Sequence, residues 1–473
     1  MKHFLIFAIC ALTVLATAGE PVEIRTAGPE RPMVTAGVGK KTVMVGLEGA
    51  LSGLTVRGEI RKWGEKKITG KIVPVPAKRE TELSFELVQP GIYQITFLAE
   101  RGKEVLAERE CTYSALPPLT GDHPAEMGTC THFAQGKGNI PYTFELLKLA
   151  GFTRIRDDLA WGSIEPKPGD YRIRSETERF IDAANRYGIK PLLVTGYCNG
   201  GAYPGKFTKA FVTTPEMREA YGNAVAFAVK HFGDRVAEWE LWNEPNSADA
   251  VKEYLPMLEA VYPKIKAVRP EAVVISCGGG GAGGGPGGAM IVPIAKARGI
   301  EFQDGFSIHP YMAPHDPDFG YRADGSPIPA VNIPVFSRHL INFIEKNRKA
   351  DGSKLKLYIT ELGWPTEYES LRELPVSEAF QAAYFARTYL LNRAGGDFPL
   401  YWYDFQNDGV DRMEKEHNFG LINLDYSPKP AYQAAATFAS LLGNKPFAKS
   451  IEEDTVKGND FDRDALKKGI CKI

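Results

Sequence analysis

The sequence is poor in cysteine, balanced in charge and, beyond its first eighteen residues, without a long apolar run. Each absence excludes something. Six cysteines are scattered through 473 residues with no Cys-x-x-Cys pair, so neither a zinc site nor a disulfide framework is indicated. Cys10 sits in the N-terminal apolar stretch, which leaves Cys111, Cys130, Cys198, Cys277 and Cys471. That odd set fits buried thiols, with a Cys111–Cys130 bridge across a domain junction as the alternative. Lysine and arginine number 57 against 58 acidic residues, a formal net charge of −1. Such a balance gives no electrostatic case for nucleic acid or an anionic membrane as partner. No later stretch is long and apolar enough for a transmembrane segment. No strand is followed by a dinucleotide fingerprint, and the spacing of Asp404, Asp408 and Asp411 does not match a calcium loop. No metal and no cofactor are therefore expected.

What is present falls into four blocks. In residues 1–18, Lys2 and His3 precede an apolar core, Phe4 to Ala16, and Ala16-Thr17-Ala18 is a small-x-small site. These are the parts of a secretory signal peptide, so the mature protein is expected to begin near Gly19 and to be exported, secreted or periplasmic. Residues 19–118 contain no convincing helix. Lys41–Leu47, Thr55–Ile60, Thr81–Leu87, Tyr93–Ala99 and Val105–Tyr113 are short runs rich in Val, Ile, Thr, Tyr and Phe, separated by turns. They predict a small immunoglobulin-like β-sandwich. No cluster of exposed aromatics favours carbohydrate binding there, so it reads as a module packed on the larger C-terminal part of the chain. Leu116-Pro117-Pro118-Leu119 is a stiff boundary.

Over residues 119–445 short apolar runs alternate with amphipathic stretches. The runs lie at Met127–Phe133, Thr153–Arg156, Lys190–Gly196, Ala237–Trp242, Ala272–Cys277, Gly305–His309, Lys356–Thr360 and Pro399–Tyr403. The stretches between and after them include Ser175–Tyr187, Pro215–Phe232, Ala250–Val268, Ser377–Asn392 and Pro430–Leu442. Gly151, Gly188 and Gly233 stand where helices should stop. Eight such pairs predict an α/β fold, a (β/α)8 TIM barrel; an open doubly wound sheet is the alternative. The glycine run Gly278 to Gly288 reads as a loop at the barrel mouth, and residues 446–473 as a charged tail.

Two of the runs end in a carboxylate: Glu240-Leu241-Trp242-Asn243-Glu244-Pro245-Asn246 and Tyr358-Ile359-Thr360-Glu361-Leu362-Gly363-Trp364. Strand ends facing a cleft are where a barrel places its chemistry. Glu244 and Glu361, on the fourth and seventh strands, can flank one sugar as acid and nucleophile on a glycosidic bond.

Together these motifs resemble the two signatures of the clan A retaining glycoside hydrolases, family 39-like or family 5-like. The likeness extends to Gly151-Phe152-Thr153-Arg154-Ile155-Arg156 on the second strand, Ser307-Ile308-His309-Pro310-Tyr311 on the sixth and Tyr401-Trp402-Tyr403-Asp404 on the eighth. The resemblance implies a retaining O-glycoside hydrolase acting on a β-linked oligosaccharide or polysaccharide. Glu244 would be the acid/base and Glu361 the nucleophile. Asn243 would bind the sugar 2-hydroxyl, and Arg156 would keep the nucleophile ionised. His309 or Tyr311 would contact that nucleophile, and Trp402 would be the apolar floor under the sugar. Trp161, Trp364 and His132 are weaker candidates for the cleft lining. A transglycosylase on the same pair, or a non-catalytic carbohydrate-binding barrel, are the other readings. Substrate identity, exo or endo action and oligomeric state are not encoded in these motifs.

Overall fold

The computed structural model describes residues 21–119, 126–205, 211–246, 248–280, 288–313, 316–317, 320–321, 327–328, 333–366, 376–443 and 445–448. The leader, most of the glycine run and most of the C-terminal tail lie outside the described residues.

The N-terminal unit is all β. Strands β1 (Glu23–Arg25), β3 (Gly39–Glu48) and β6 (Glu80–Leu87) form one sheet. Strands β2 (Val34–Ala36), β4 (Thr55–Lys62), β5 (Ile68–Pro76), β7 (Gly91–Arg101) and β8 (Glu104–Leu116) form another, in the order β2-β8-β7-β4-β5. The alternation that predicts strands is the alternation that packs them. Along β6, Thr81, Leu83, Phe85 and Leu87 are buried and the residues between them are exposed. Val45, Leu83, Ile95, Phe97 and Tyr113 close the core between the sheets. Each such side chain contributes about 1.5–3 kcal/mol by leaving water.

The second unit is a closed barrel of eight strands, every neighbouring pair parallel. They are β9 (Met127–Cys130), β10 (Arg154–Ala160), β11 (Lys190–Gly196), β12 (Glu238–Leu241), β13 (Val273–Gly280), β14 (Gly305–His309), β17 (Lys356–Leu362) and β18 (Leu400–Trp402). A hairpin of two short strands, β15 (Gly320–Tyr321) with β16 (Pro327–Ile328), interrupts the count after β14. The helices are α1 (Ile140–Leu149), a short α2 (Trp161–Ile164), α3 (Ser175–Tyr187), α4 (Pro215–Phe232), α5 (Leu255–Val268), α6 (Gly288–Lys296), α7 (Ile333–Lys346), α8 (Glu378–Gly395) and α9 (Pro430–Leu442).

Local chemistry sets the helix ends. The Thr214 side chain accepts from the Met217 N–H ahead of Pro215, Ser377 does the same for Phe380, and Gly188 takes the left-handed conformation that ends α3. The stretch read as one helix from Ala250 instead opens with a π turn, Ala250–Tyr254, before α5. Cys111, Cys130 and Cys198 are free thiols, so the Cys111–Cys130 bridge does not form. Cys111 packs in the core of the β unit and Cys130 inside the barrel, and each is filled around by its own domain.

The barrel interior is layered. Leu192, Val194, Ile275, Tyr358 and Tyr401 fill part of it with apolar surface. Two charged layers cross it, set two residues apart by strand periodicity. In the lower one Arg154 Nη1 donates to Glu238 Oε2 at 2.7 Å, and the Tyr358 hydroxyl donates to Glu238 Oε1 at 3.0 Å. The upper one is built on Arg156 and Glu240 and supports the cleft at the strands' C-terminal ends.

The two units pack on one another. Val34 and Leu116 of the β unit belong to the barrel's hydrophobic core. Thr112 Oγ1 donates to the Pro428 carbonyl at 2.5 Å and Ser440 Oγ to the Pro118 carbonyl at 2.8 Å. Among the described residues no helix is long and apolar enough to cross a membrane.

Candidate active site

Strand β12 ends at Leu241, and the chain then turns sharply. Trp242 and Glu244 have φ of 75° and 44°, in the left-handed region, which costs about 1–2 kcal/mol for a residue with a Cβ. Packing holds the turn in place. The Trp242 ring is buried against Phe211 at 4.6 Å and Tyr221 at 5.7 Å, and its backbone N–H donates to the Thr195 carbonyl at 2.8 Å. Asn243 and Glu244 are thereby turned into the cleft, beside Pro245, which has no N–H to continue a ladder.

Strand β17 reaches the cleft differently. Thr360 and Glu361 are consecutive, yet both make contacts inside the barrel. The pairing with β18 shifts register between Ile359 and Leu362, the irregularity that lets a strand re-aim one side chain. Gly363 makes the close approach to β18 sterically feasible: a Cβ there would lie 1.7 Å from the Tyr403 carbonyl oxygen.

Around these ends the expected residues converge. Arg156 on β10 divides its guanidinium among three partners. Nη1 donates to Glu361 Oε1 at 2.6 Å, Nη2 to Asn243 Oδ1 at 2.7 Å and Nε to Glu240 Oε2 at 2.7 Å. The Tyr311 hydroxyl donates to Glu361 Oε2 at 2.9 Å. His309 Nδ1 lies 2.7 Å from Glu244 Oε1 and 3.6 Å from Glu361 Oε2, while Nε2 lies 2.9 Å from Thr360 Oγ1. A carboxylate oxygen of Glu244, a carboxylate oxygen of Glu361 and a ring nitrogen of His309 all lie within 4.8 Å of one another. Glu244, Glu361, Arg156, Asn243 and Tyr311 line a cleft of about 640 Å³ at the C-terminal end of the strands.

The charges follow from the partners. Burial alone would raise the Glu361 pKa, but the charges of His309 and Arg156 and the bonds from Tyr311 and Arg156 hold it below the usual carboxylate value. Burial works to lower His309, but the Glu361 charge and the bond to Glu244 leave it raised. Burial and the Glu361 charge push Tyr311 far up, so it stays a donor.

One reading from the sequence is corrected by the structure. Trp402 is not the floor of the cleft. It is fully buried behind the strand, its ring 5.0 Å from Phe385 on α8 and 5.5 Å from Trp364. On a three-residue strand, alternation sends Trp402 outward to the helices, and the next residue, Tyr403, lines the cleft with Phe419. Of the weaker candidates His132 lines the cleft, whereas Trp161 and Trp364 are fully buried. Glu240 is the main residue missed. It is completely buried and accepts from Arg156 Nε, from Thr360 Oγ1 at 2.9 Å and from Ser307 Oγ. A signal for it exists in the sequence: Glu238 and Glu240 share the two-residue spacing of Arg154 and Arg156 on a strand two places away.

A parallel eight-stranded barrel with one glutamate at the end of its fourth strand and another at the end of its seventh defines the class, a clan A-type glycoside hydrolase. The chain is 43% identical to the structure of a family 39 glycoside hydrolase from the gut symbiont Bacteroides cellulosilyticus WH2, with a TM-score of 0.81. That match covers 90% of this chain and 84% of the other, and the chain belongs to glycoside hydrolase family 39. No protein-family model matches it. Curated relatives match over less. One is a β-galactosidase of Aspergillus niger, 32% identical over 107 residues, 21% of this chain. Another is a β-xylosidase of Caldicellulosiruptor saccharolyticus, 25% identical over 296 residues, 57% of this chain and 56% of that protein. The chain spans only 11% of the length of the Aspergillus enzyme.

Proposed function

We propose that this protein is a retaining glycosidase that hydrolyses a β-linked glycan through a covalent glycosyl-enzyme. The observation that carries this reading is the separation of the pair: oxygens of Glu244 and Glu361 lie within 4.8 Å. Retaining enzymes place their carboxyls about 5–5.5 Å apart, against roughly 6.5–9.5 Å where a water must fit between for inversion.

The roles follow from the contacts. Glu361, kept ionised by Arg156 and Tyr311, attacks the anomeric carbon and forms the ester. Glu244 gives its proton to the leaving oxygen, then takes one from the water that opens the ester. Asn243, fixed by Arg156, is placed for the sugar 2-hydroxyl. Tyr403 and Phe419 offer the apolar surface for the sugar's C–H face. A β-xyloside and a β-galactoside are the first substrates to test, given the relatives' activities.

Proton NMR of the first product decides the mechanism. Retention of configuration is expected, and an inverted anomer would remove Glu361 from the nucleophile's role. The same spectra with an added acceptor sugar separate hydrolysis from glycosyl transfer. Export through residues 1–18 is part of the proposal. Sequencing of secreted material should find a start near Gly19, and an intact Met1 on exported protein would refute it.

A further inference from the structure

A second polar site lies beside the cleft, in the wedge between α1 and the loop after β18. It is a small cavity of about 30 Å³ whose polar lining includes His132, Lys137, Thr143, Asp404, Asn407 and Asp408, enough for one water or one ion. Asp404 is 2% exposed. One of its oxygens accepts the Phe405 N–H. The other, Oδ2, accepts no hydrogen bond among the described residues, and neither does the buried Thr143 Oγ1. Oδ2 meets the His132 ring nitrogen only as an ion pair, at 3.4 Å, so the cavity has room to complete the partners of both atoms.

His132 Nδ1 stands 2.9 Å from Asp408 Oδ1 and 3.4 Å from Asp404 Oδ2. One ligand atom from each of the three residues lies within 4.8 Å of the other two. Ligands bound to a single ion at about 2.0–2.2 Å stand roughly 3 Å apart, so little movement is needed to enclose one. Lys137 Nζ lies 2.7 Å from Asp408 Oδ2, on the carboxylate's other oxygen, away from the proposed ligand atom.

We propose that His132 Nδ1, Asp404 Oδ2 and Asp408 Oδ1 bind a divalent transition-metal ion, zinc above all. The imidazole selects such a metal over calcium or magnesium, which favour sites made of oxygen alone. Binding releases any proton on Nδ1 to solvent. The ion would not touch the reacting sugar. It would fix the His132 ring, which meets the Tyr403 ring edge-on at 5.8 Å, and so set the cleft wall. Spacing along the chain points away from a metal because it weighs Asp404, Asp408 and Asp411 alone. Asp411 Oδ1 in fact accepts the Met413 N–H at 2.8 Å, and the third ligand comes from His132 on the other side of the barrel seam.

The test uses the full chain, stripped with EDTA and dialysed against zinc, manganese, calcium or magnesium chloride. Bound metal is counted by mass spectrometry and the thermal midpoint is measured. About one equivalent of zinc and a midpoint raised by about 3 °C or more are expected, with less from calcium and magnesium. His132→Gln and Asp408→Asn should lose both effects. Cobalt should give a visible absorption band that His132→Gln removes. If His132→Gln does not fold, Asp408→Asn, at a less buried position, carries the test. Less than about 0.1 equivalent with an unmoved midpoint would mean the cavity holds water and the cluster is an ion-pair network. Equal binding by Asp408→Asn would overturn the proposal as well.

Discussion

At the scale of the residue, the charge on Glu361 is the quantity the surroundings control. Its pKa is depressed, so the fold gains stability from it above about pH 4.3, the free value, and loses that gain as pH falls through the folded value. The acid limb of kcat/KM should therefore lie below about pH 4.3 on an activated substrate. Tyr311→Phe should move it upward, and an unmoved limb would release Tyr311 from the role. His309 has the opposite sign. Its folded pKa is raised, so its contribution is complete below about pH 6.5 and lost as pH rises through the folded value. His309→Asn should flatten the alkaline side of the melting-temperature profile. Glu361→Gln should abolish turnover with the fold kept. Arg156→Lys should cost at least about a hundredfold in kcat, because one ammonium cannot reproduce three directed donors. A variant with wild-type kcat would show that charge alone suffices.

At the scale of the element, the approach of β17 to β18 rests on one glycine. Gly363→Ala must push Tyr403 away or fail to fold, so we expect a lower unfolding midpoint and a lost cleft floor together. A stable, active Gly363→Ala would mean the strands can part cheaply. Trp402→Ala removes a fully buried indole and should cost about 3–5 kcal/mol, read as a shift in the urea midpoint. These cases mark where the sequence is legible. Helices α3, α4 and α9 begin and end at the expected residues because local signals mark them: proline opens α4 and α9, and a glycine follows each of the three. The placement of Glu244 and Glu361 at the cleft is legible because each lies at or just past a strand's end, shortly before Pro or Gly. Trp402 is misread because its face depends on a one-residue phase in a three-residue strand. Glu240 is missed because a charge inside a barrel looks wrong until its partner on another strand is known.

At the scale of the whole molecule, the β unit and the barrel share a core. Val34 and Leu116 sit in the barrel's hydrophobic cluster, and Thr112 and Ser440 bond across the seam. The barrel expressed alone from residue 119 should therefore melt lower than the full chain and expose apolar surface to a dye such as ANS. An unchanged midpoint would make the β unit a passenger. If the midpoint falls instead, the unit's contribution is structural, and a polysaccharide pull-down with the isolated β unit should recover nothing.

The left-handed turn at Glu244 has a consequence for how such a protein can decay. Glycine adopts that backbone freely, so Glu244→Gly relieves the turn while deleting the proposed proton donor and the partner of His309 Nδ1. The variant would be free of the turn's strain, about 1–2 kcal/mol, and would leave buried His309 without that partner, a cost of similar size. A glutamate at this position is thus held against its own backbone preference by a contact that belongs to the cleft and not to the core.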